Sequence, residues 1–106
     1  MSAPEALYHA LGDATRLELV RRLGEMGPTP TVTLVEGLGM SRQAATKHLL
    51  VLENCGLVKV TKRGREQLRE LNVPELKLAA TWLQERAEFW ESKLSALKAF
   101  AESLED

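Results

Sequence analysis

Positions 41–52 read SRQAATKHLLVL, in which Arg42, Gln43, Thr46 and Lys47 stand beside an apolar set, Ala45, Leu49 and Leu52. On a helix the apolar residues at i, i+4 and i+7 share one face, and the polar ones lie off it. Those polar heads match the edges of base pairs. A glutamine carboxamide pairs with N6 and N7 of adenine, a lysine donates to O6 and N7 of guanine, and a threonine offers its hydroxyl or its methyl group. Ser41, Arg42 and the free amides of a first helical turn suit a phosphate. An ordinary solvated helix surface carries the same residue types, so the surroundings of the helix must decide between the two readings. A second basic group, Lys62, Arg63 and Arg65, flanks Gly64. It either keeps an exposed hairpin soluble and its edge unpaired or neutralises phosphates along a DNA backbone or minor groove.

Other chemistry is poorly supplied. No nucleophile with a base, carboxylate dyad, glycine-rich phosphate loop or zinc triad is present, which argues against an enzyme. One cysteine excludes an internal disulfide, and with two histidines it is a thin stock of soft ligands, so no metal and no cofactor is expected. His48 flanks the buried side of its helix and reads as packed or hydrogen-bonded, and His9 as structural. Cys55 follows Glu53 and Asn54, with no base beside it to activate the thiol, and reads as half-buried and inert.

The formal net charge of −1 at first argues against a nucleic-acid partner. Its distribution reverses that reading. Between positions 41 and 69 there are seven bases (Arg42, Lys47, Lys59, Lys62, Arg63, Arg65, Arg69) and two acids (Glu53, Glu66), and from position 75 onward seven acids and four bases. The middle is basic and the tail acidic. A chain of 106 residues with 44% hydrophobic residues fits one domain, 1–106. The first thirty residues hold only short apolar runs, none suited to a signal peptide or membrane span, so no membrane association is expected, and a reducing cytoplasm suits the single cysteine.

The elements that would position these groups are mostly helices. Positions 4–11 read as a short helix, and Asp13 as the N-cap of a second, ATRLELVRRLGEM, whose Leu17, Val20 and Leu23 are expected to face inward. GPTPT at 27–31 breaks the chain, and 32–38 supplies a third short helix with Leu34, Val35 and Leu38 apolar. After Gly39 and Met40, Ser41 caps the fourth helix and Gly56 stops it. A short helix, a glycine turn and a capped helix with an exposed first turn form a helix-turn-helix, whose second helix enters the major groove. LVKVTKRGREQLREL then reads as a β-hairpin with a basic tip, a wing, although Glu66, Gln67 and Glu70 are weak strand formers.

From Pro74 a helix runs almost to the end. Leu76, Ala80, Leu83, Ala87, Trp90, Leu94, Leu97, Ala101 and Leu104 alternate spacings of four and three, a heptad seam, with Trp82, Phe89 and Phe100 widening the stripe. The aromatic residues suit a dimer core better than a small-molecule pocket. At 1.5 Å per residue the helix is about 45 Å long, more than the preceding small unit, 4–73, can cover. The simplest partner for 74–104 is a second copy of the same helix.

ALGDATRLELVRRL (10–23), LVEGLGMSRQAATKHLLVLENCGLV (34–58) and TWLQERAEFWESKLSALKAF (81–100), in this order, resemble the ArsR/SmtB family of winged-helix regulators. Ala14 stands where that family more often has proline. The resemblance implies a mainly α winged helix-turn-helix fold of four helices, two strands and a long C-terminal dimerisation helix. It also implies a cytoplasmic homodimeric repressor that binds double-stranded DNA, with positions 42, 43, 46 and 47 on the DNA. The family's metal sensors carry cysteines in the third helix or His and Asp pairs in the last. Here those segments read TVTLVEGL and a last helix without histidine, which places the chain in the branch lacking the usual metal sites and leaves any small-molecule effector unidentified. The competing reading is a dimeric protein-interaction module of the same fold. The basic surplus in the middle of the chain weighs against it.

Overall fold

Asp13 interrupts the chain between two helices, α1 (Pro4–Leu11) and α2 (Ala14–Met26), in a computed structural model that describes residues 4–104. The remaining positions of the expected 1–106 domain, 1–3 and 105–106, lie outside the described residues. The Asp13 carboxylate accepts the amides of Thr15 at 2.8 Å and Arg16 at 3.1 Å, the N-cap arrangement expected of it. The bond from the Arg16 amide, more than any nearby charge, holds the Asp13 carboxyl below the usual carboxylate range.

Along α2, Leu19 and Leu23 are fully buried, whereas Leu17, expected inward, is 51% exposed. A three-residue spacing precesses by about 60° per step, which places Leu17 about 120° from Leu23, while Leu19 and Leu23 are only about 40° apart. The core therefore selects the four-residue pair. Two arginines of α2 tie down neighbouring helix ends. Arg16 Nε donates to the Ala10 carbonyl at 2.6 Å and Nη2 to that of His9 at 3.2 Å. Arg22 Nη1 donates to the carbonyls of Leu34 at 2.9 Å and Glu36 at 2.7 Å. Each cation satisfies carbonyls at or just beyond the C-terminal end of a helix.

The third helix is shorter than expected. α3 spans Thr31–Leu34, and Val35 onward forms turns in which Gly37 and Gly39 take φ of 76° and 75°. Left-handed backbone at those two glycines ends the helix early. Val32 is exposed, while Leu34 is buried with Val35 and Leu38 packed on the core. The GPTPT break also contains a strand not anticipated from the sequence, β1 (Thr29–Pro30). Proline is tolerated there because β1 is an edge strand.

Ser41 and Gly56 bracket α4 (Arg42–Asn54) as expected. Ser41 Oγ accepts the Ala44 amide at 3.1 Å. Gly56, at φ 89°, sends its amide to Glu53 O and the next amide, Leu57, to Leu52 O, both at 3.0 Å, a Schellman C-cap. The hairpin follows as β2 (Val58–Arg63) and β3 (Glu66–Leu71), joined by a two-residue turn with Gly64 at φ 64°. A positive φ at the first turn position alone is the pattern of a type II′ hairpin. The sheet order is β1-β3-β2, antiparallel throughout.

Arg69 of β3, one of the seven bases between positions 41 and 69, is only 8% exposed. Its Nη1 pairs with Glu53 of α4, and its Nε donates to Thr31 Oγ1 at 2.9 Å. One guanidinium thus joins the wing, α4 and the start of α3.

α5 (Val73–Leu104) starts one residue before Pro74 and runs 32 residues, about 48 Å. Its root is fixed by Tyr8, whose hydroxyl donates to Ala79 O at 2.8 Å and whose ring lies 5.6 Å from that of Trp82. Ala79 is the one buried residue of α5, and the neighbouring Ala80, a position of the expected seam, is exposed. The helix leaves the body of the molecule, so the radius of gyration is 19.2 Å against about 13 Å for a compact domain of this length.

Two stability outcomes follow from these contacts. Arg69→Ala strands a largely buried Glu53 carboxylate, and urea denaturation should show a loss of about 3 kcal/mol; Arg69→Leu combined with Glu53→Leu should recover most of it. If the single variant unfolds at the wild-type midpoint, the clamp has no energetic role. The Asp13 contribution has the sign of a depressed carboxyl. It is complete above the ordinary value of 3.8 and disappears as pH falls toward the lower folded-state value. Asp13→Asn keeps a capping acceptor but does not titrate, so its acid unfolding limb should be flatter below that pH than the wild type's.

Candidate nucleic-acid interface

Ala45, Leu49 and Leu52 are completely buried and so fix the rotation of α4 about its own axis. At 100° per residue, Gln43 and Lys47 then point about 160° away from Ala45, with Thr46 at about 100° and Arg42 at about 60°. Gln43 and Lys47 are exposed on the open side of the helix with the half-buried Thr46 at its edge, and Arg42 is exposed as the first residue of the helix rather than by its angle. Ser41 is exposed as well, and while its Oγ accepts the Ala44 amide its hydroxyl proton is left to donate. The first-turn amides have no acceptor within the helix.

The opposite side of α4 is anchored by polar contacts. Arg16 Nη1 lies 3.2 Å from His48 Nδ1, and that nitrogen is 3.8 Å from Asp13 Oδ1. Arg16 has only donors, so Nδ1 accepts in that contact. His48 is the hydrogen-bonded histidine expected. The His9 side chain is exposed, and its carbonyl rather than its ring serves the network. Cys55 is more buried than expected, and its thiol donates to Leu52 O at 3.3 Å.

On the wing, Lys62, Arg63 and Arg65 are all exposed at or beside the turn. The charge balance needs one revision. The Arg69–Glu53 pair removes one charge of each sign, so the surplus of five between positions 41 and 69 stands. Lys59 Nζ lies 3.7 Å from Glu70, just beyond that window, and is partly neutralised.

Among the described residues no group of three or more His, Cys, Asp and Glu is placed to hold a metal ion. No described helix is long and apolar enough to cross a membrane.

Of the expected seam, Leu76 is partly buried against the chain's own core. Leu83, Trp90, Leu94 and Leu97 are between 52% and 63% exposed, and Ala80, Ala87 and Ala101 are exposed beside them. Phe89 and Phe100 extend the same apolar surface, with Lys93 Nζ 5.4 Å from the centre of the Phe89 ring and Arg86 5.2 Å from Trp82.

One exposed residue of α4 was not singled out in the sequence. Leu50 sits in a run of apolar residues, LLVL, and only its angular position separates it from the buried Leu49 and Leu52.

Comparison with known proteins places this geometry among regulators. No protein-family model matches the chain. A solved ArsR-like transcriptional regulator from Rhodococcus sp. RHA1 superposes with a TM-score of 0.82 at 36% identity, covering 92% of each chain. The HTH-type transcriptional regulator YuzN of Bacillus subtilis is 34% identical over 87 residues, 76% of this chain and 95% of YuzN. The HTH-type transcriptional regulator Rv2034 of Mycobacterium tuberculosis is 31% identical over 101 residues, 95% of this chain and 91% of Rv2034.

Zinc added in a calorimetric titration should give no stoichiometric binding, because a tight site needs three or four convergent ligands. A saturating one-to-one isotherm at micromolar zinc contradicts this.

Proposed function

Because the chain belongs to the ArsR family of winged helix-turn-helix transcriptional regulators, we propose that it is a homodimeric, sequence-specific DNA-binding repressor that reads an inverted-repeat operator in double-stranded DNA. The observation that carries this reading is the open face of α4, where Gln43 and Lys47 lie opposite the buried Ala45, Leu49 and Leu52, with Thr46 on its flank and the exposed Arg42 in the first turn. Gln43, Thr46 and Lys47 supply base-edge hydrogen bonds, and Ser41, Arg42 and the first-turn amides hold a phosphate. Lys62, Arg63 and Arg65 neutralise backbone charge from the wing. No side chain is assigned a catalytic, metal or cofactor role. Such a regulator works in the compartment that holds DNA, and the lone buried Cys55 suits a reducing cytoplasm.

The dimer is required by the number of bases one helix can reach. A single recognition helix reads too few for useful specificity, whereas a two-fold pair presents two of them about 34 Å apart, one helical turn. The exposed stripe of α5, with Leu83, Trp90, Leu94 and Leu97 at its centre, supplies apolar surface for that pairing. Each large side chain so covered contributes about 1.5–3 kcal/mol. Leu76, Ala80, Ala87 and Ala101 complete the seam.

The reading separates two groups of variants. Gln43→Ala and Lys47→Ala should each lose about 1–3 kcal/mol of discrimination between operator and random duplex in fluorescence titrations. Arg63→Ala and Arg65→Ala should weaken binding to every sequence alike and flatten the salt dependence. Identical behaviour of the two groups contradicts the division of roles. Leu83→Asp with Leu94→Asp places four unpaired charges in the paired interface of a dimer. The wild type should sediment as a dimer at micromolar concentration and the double variant as a monomer without operator binding. A monomeric wild type, or a double variant that stays dimeric and binds, sinks the assignment of α5.

A further inference from the structure

Helix α4 leaves one large apolar side chain away from the core. Leu50 is 47% exposed, although Leu49 and Leu52 on either side of it in the run are fully buried. It belongs neither to the core nor to the partly buried residues packed on it. From Gln43 to Leu50 is seven residues, a rotation of about 20°, and Leu50 lies three residues beyond Lys47 and four beyond Thr46. Positions 43, 46, 47 and 50 therefore form one continuous strip of helix surface two turns long. A solvent-exposed leucine is common in itself. This one lies in line with three side chains suited to base edges, on a surface that loses its water when the helix enters a groove.

What such a side chain meets there is limited by chemistry. The major-groove edges of the four base pairs are hydrogen-bond donors and acceptors, apart from the 5-methyl group of thymine. An isobutyl group pressed on a donor or acceptor leaves it unpaired, which is costly, whereas against a methyl group both sides lose apolar surface to water. Gln43 and Lys47 take hydrogen-bonding edges in the preceding turn, so the strip continues from polar to apolar readout. We propose that Leu50 is a fourth base-reading position and recognises the 5-methyl group of a thymine in each half-site; this rests on the DNA-binding reading of α4.

The test uses the full chain and duplexes enriched by it from a random pool. Each thymine of the enriched operator is replaced in turn by deoxyuridine, which keeps every hydrogen-bonding edge and removes only the methyl group. The wild type should lose about four-fold in affinity at one thymine per half-site, the worth of one buried methyl group. Leu50→Ala should be indifferent to that replacement while keeping its response at other thymines, including any read by the methyl group of Thr46. Leu50→Met should retain the response. The site is exposed and alanine favours a helix, so folding is preserved, which far-UV circular dichroism checks. A wild type indifferent to deoxyuridine at every position, or a Leu50→Ala chain with the wild-type replacement profile, overturns the role of Leu50 and leaves DNA binding standing. A wild type that enriches no duplex overturns both.

Discussion

The guanidinium of Arg69 sets the relation between the two surfaces that face outward. It reaches from the wing strand to Glu53 near the end of α4 and to Thr31 at the start of α3. The hairpin cannot tilt relative to α4 without stretching charge-assisted hydrogen bonds in a largely dry site, where they are strongest. Burying an ion pair is a weak source of net stability, because desolvation offsets much of the attraction. Its effect is geometric: the angle between recognition helix and wing is preset by the fold. Arg16 and Arg22 act in the same way on other elements, each holding helix-end carbonyls from α2. Three arginines therefore build the scaffold, while Arg42, Arg63 and Arg65 are left to the surface.

α5 poses the opposite problem. A 32-residue helix with a single buried residue, Ala79, gains little from its own domain beyond the junction with Tyr8. Most of its apolar stripe has no cover among the described residues, and an amphipathic helix of that length is held by tertiary or quaternary packing rather than by propensity. Under the dimer reading, the Tyr8 and Trp82 contact acquires a second meaning. It fixes the angle at which the helix leaves the domain, and hence the separation of two recognition helices carried by a paired α5. Stability of the rod and spacing on DNA are then set at one joint.

How much of this was legible in the sequence follows from the range of the interactions involved. Asp13, Ser41 and Gly56 act on amides and carbonyls a few residues away, so the caps and the limits of α4 could be read directly. The open face of α4 was legible because Ala45, Leu49 and Leu52 keep helical spacing. What failed depended on distant partners. Leu17 and Leu19 are equally apolar, and only the position of the core along α2 selects between them. Thr29–Pro30 has no strand signature of its own and becomes one because Leu68 and Arg69 of β3 lie alongside. Arg69 resembles the wing cations in composition, and it is the remote Glu53 that takes it inward. Leu50 was hidden for a different reason: the surrounding LLVL masks the outward residue in any reading by hydrophobicity alone.

Charge distribution constrains the way specificity is achieved. The chain as a whole is at −1, with a positive surplus between positions 41 and 69 and acids in excess on either side of it. Counterion release scales with the number of phosphates neutralised, so a small local surplus supports only modest sequence-independent affinity. Under the proposed DNA-binding reading, electrostatic attraction alone does not hold an operator against the excess of competing sites. Under the same reading, discrimination then comes from short-range complementarity along α4, where each base-edge contact is lost outright when the wrong base stands opposite. Rigid placement of that helix by Arg69, Arg16 and His48 is what makes such complementarity affordable, since no ordering of the helix remains to be done on binding.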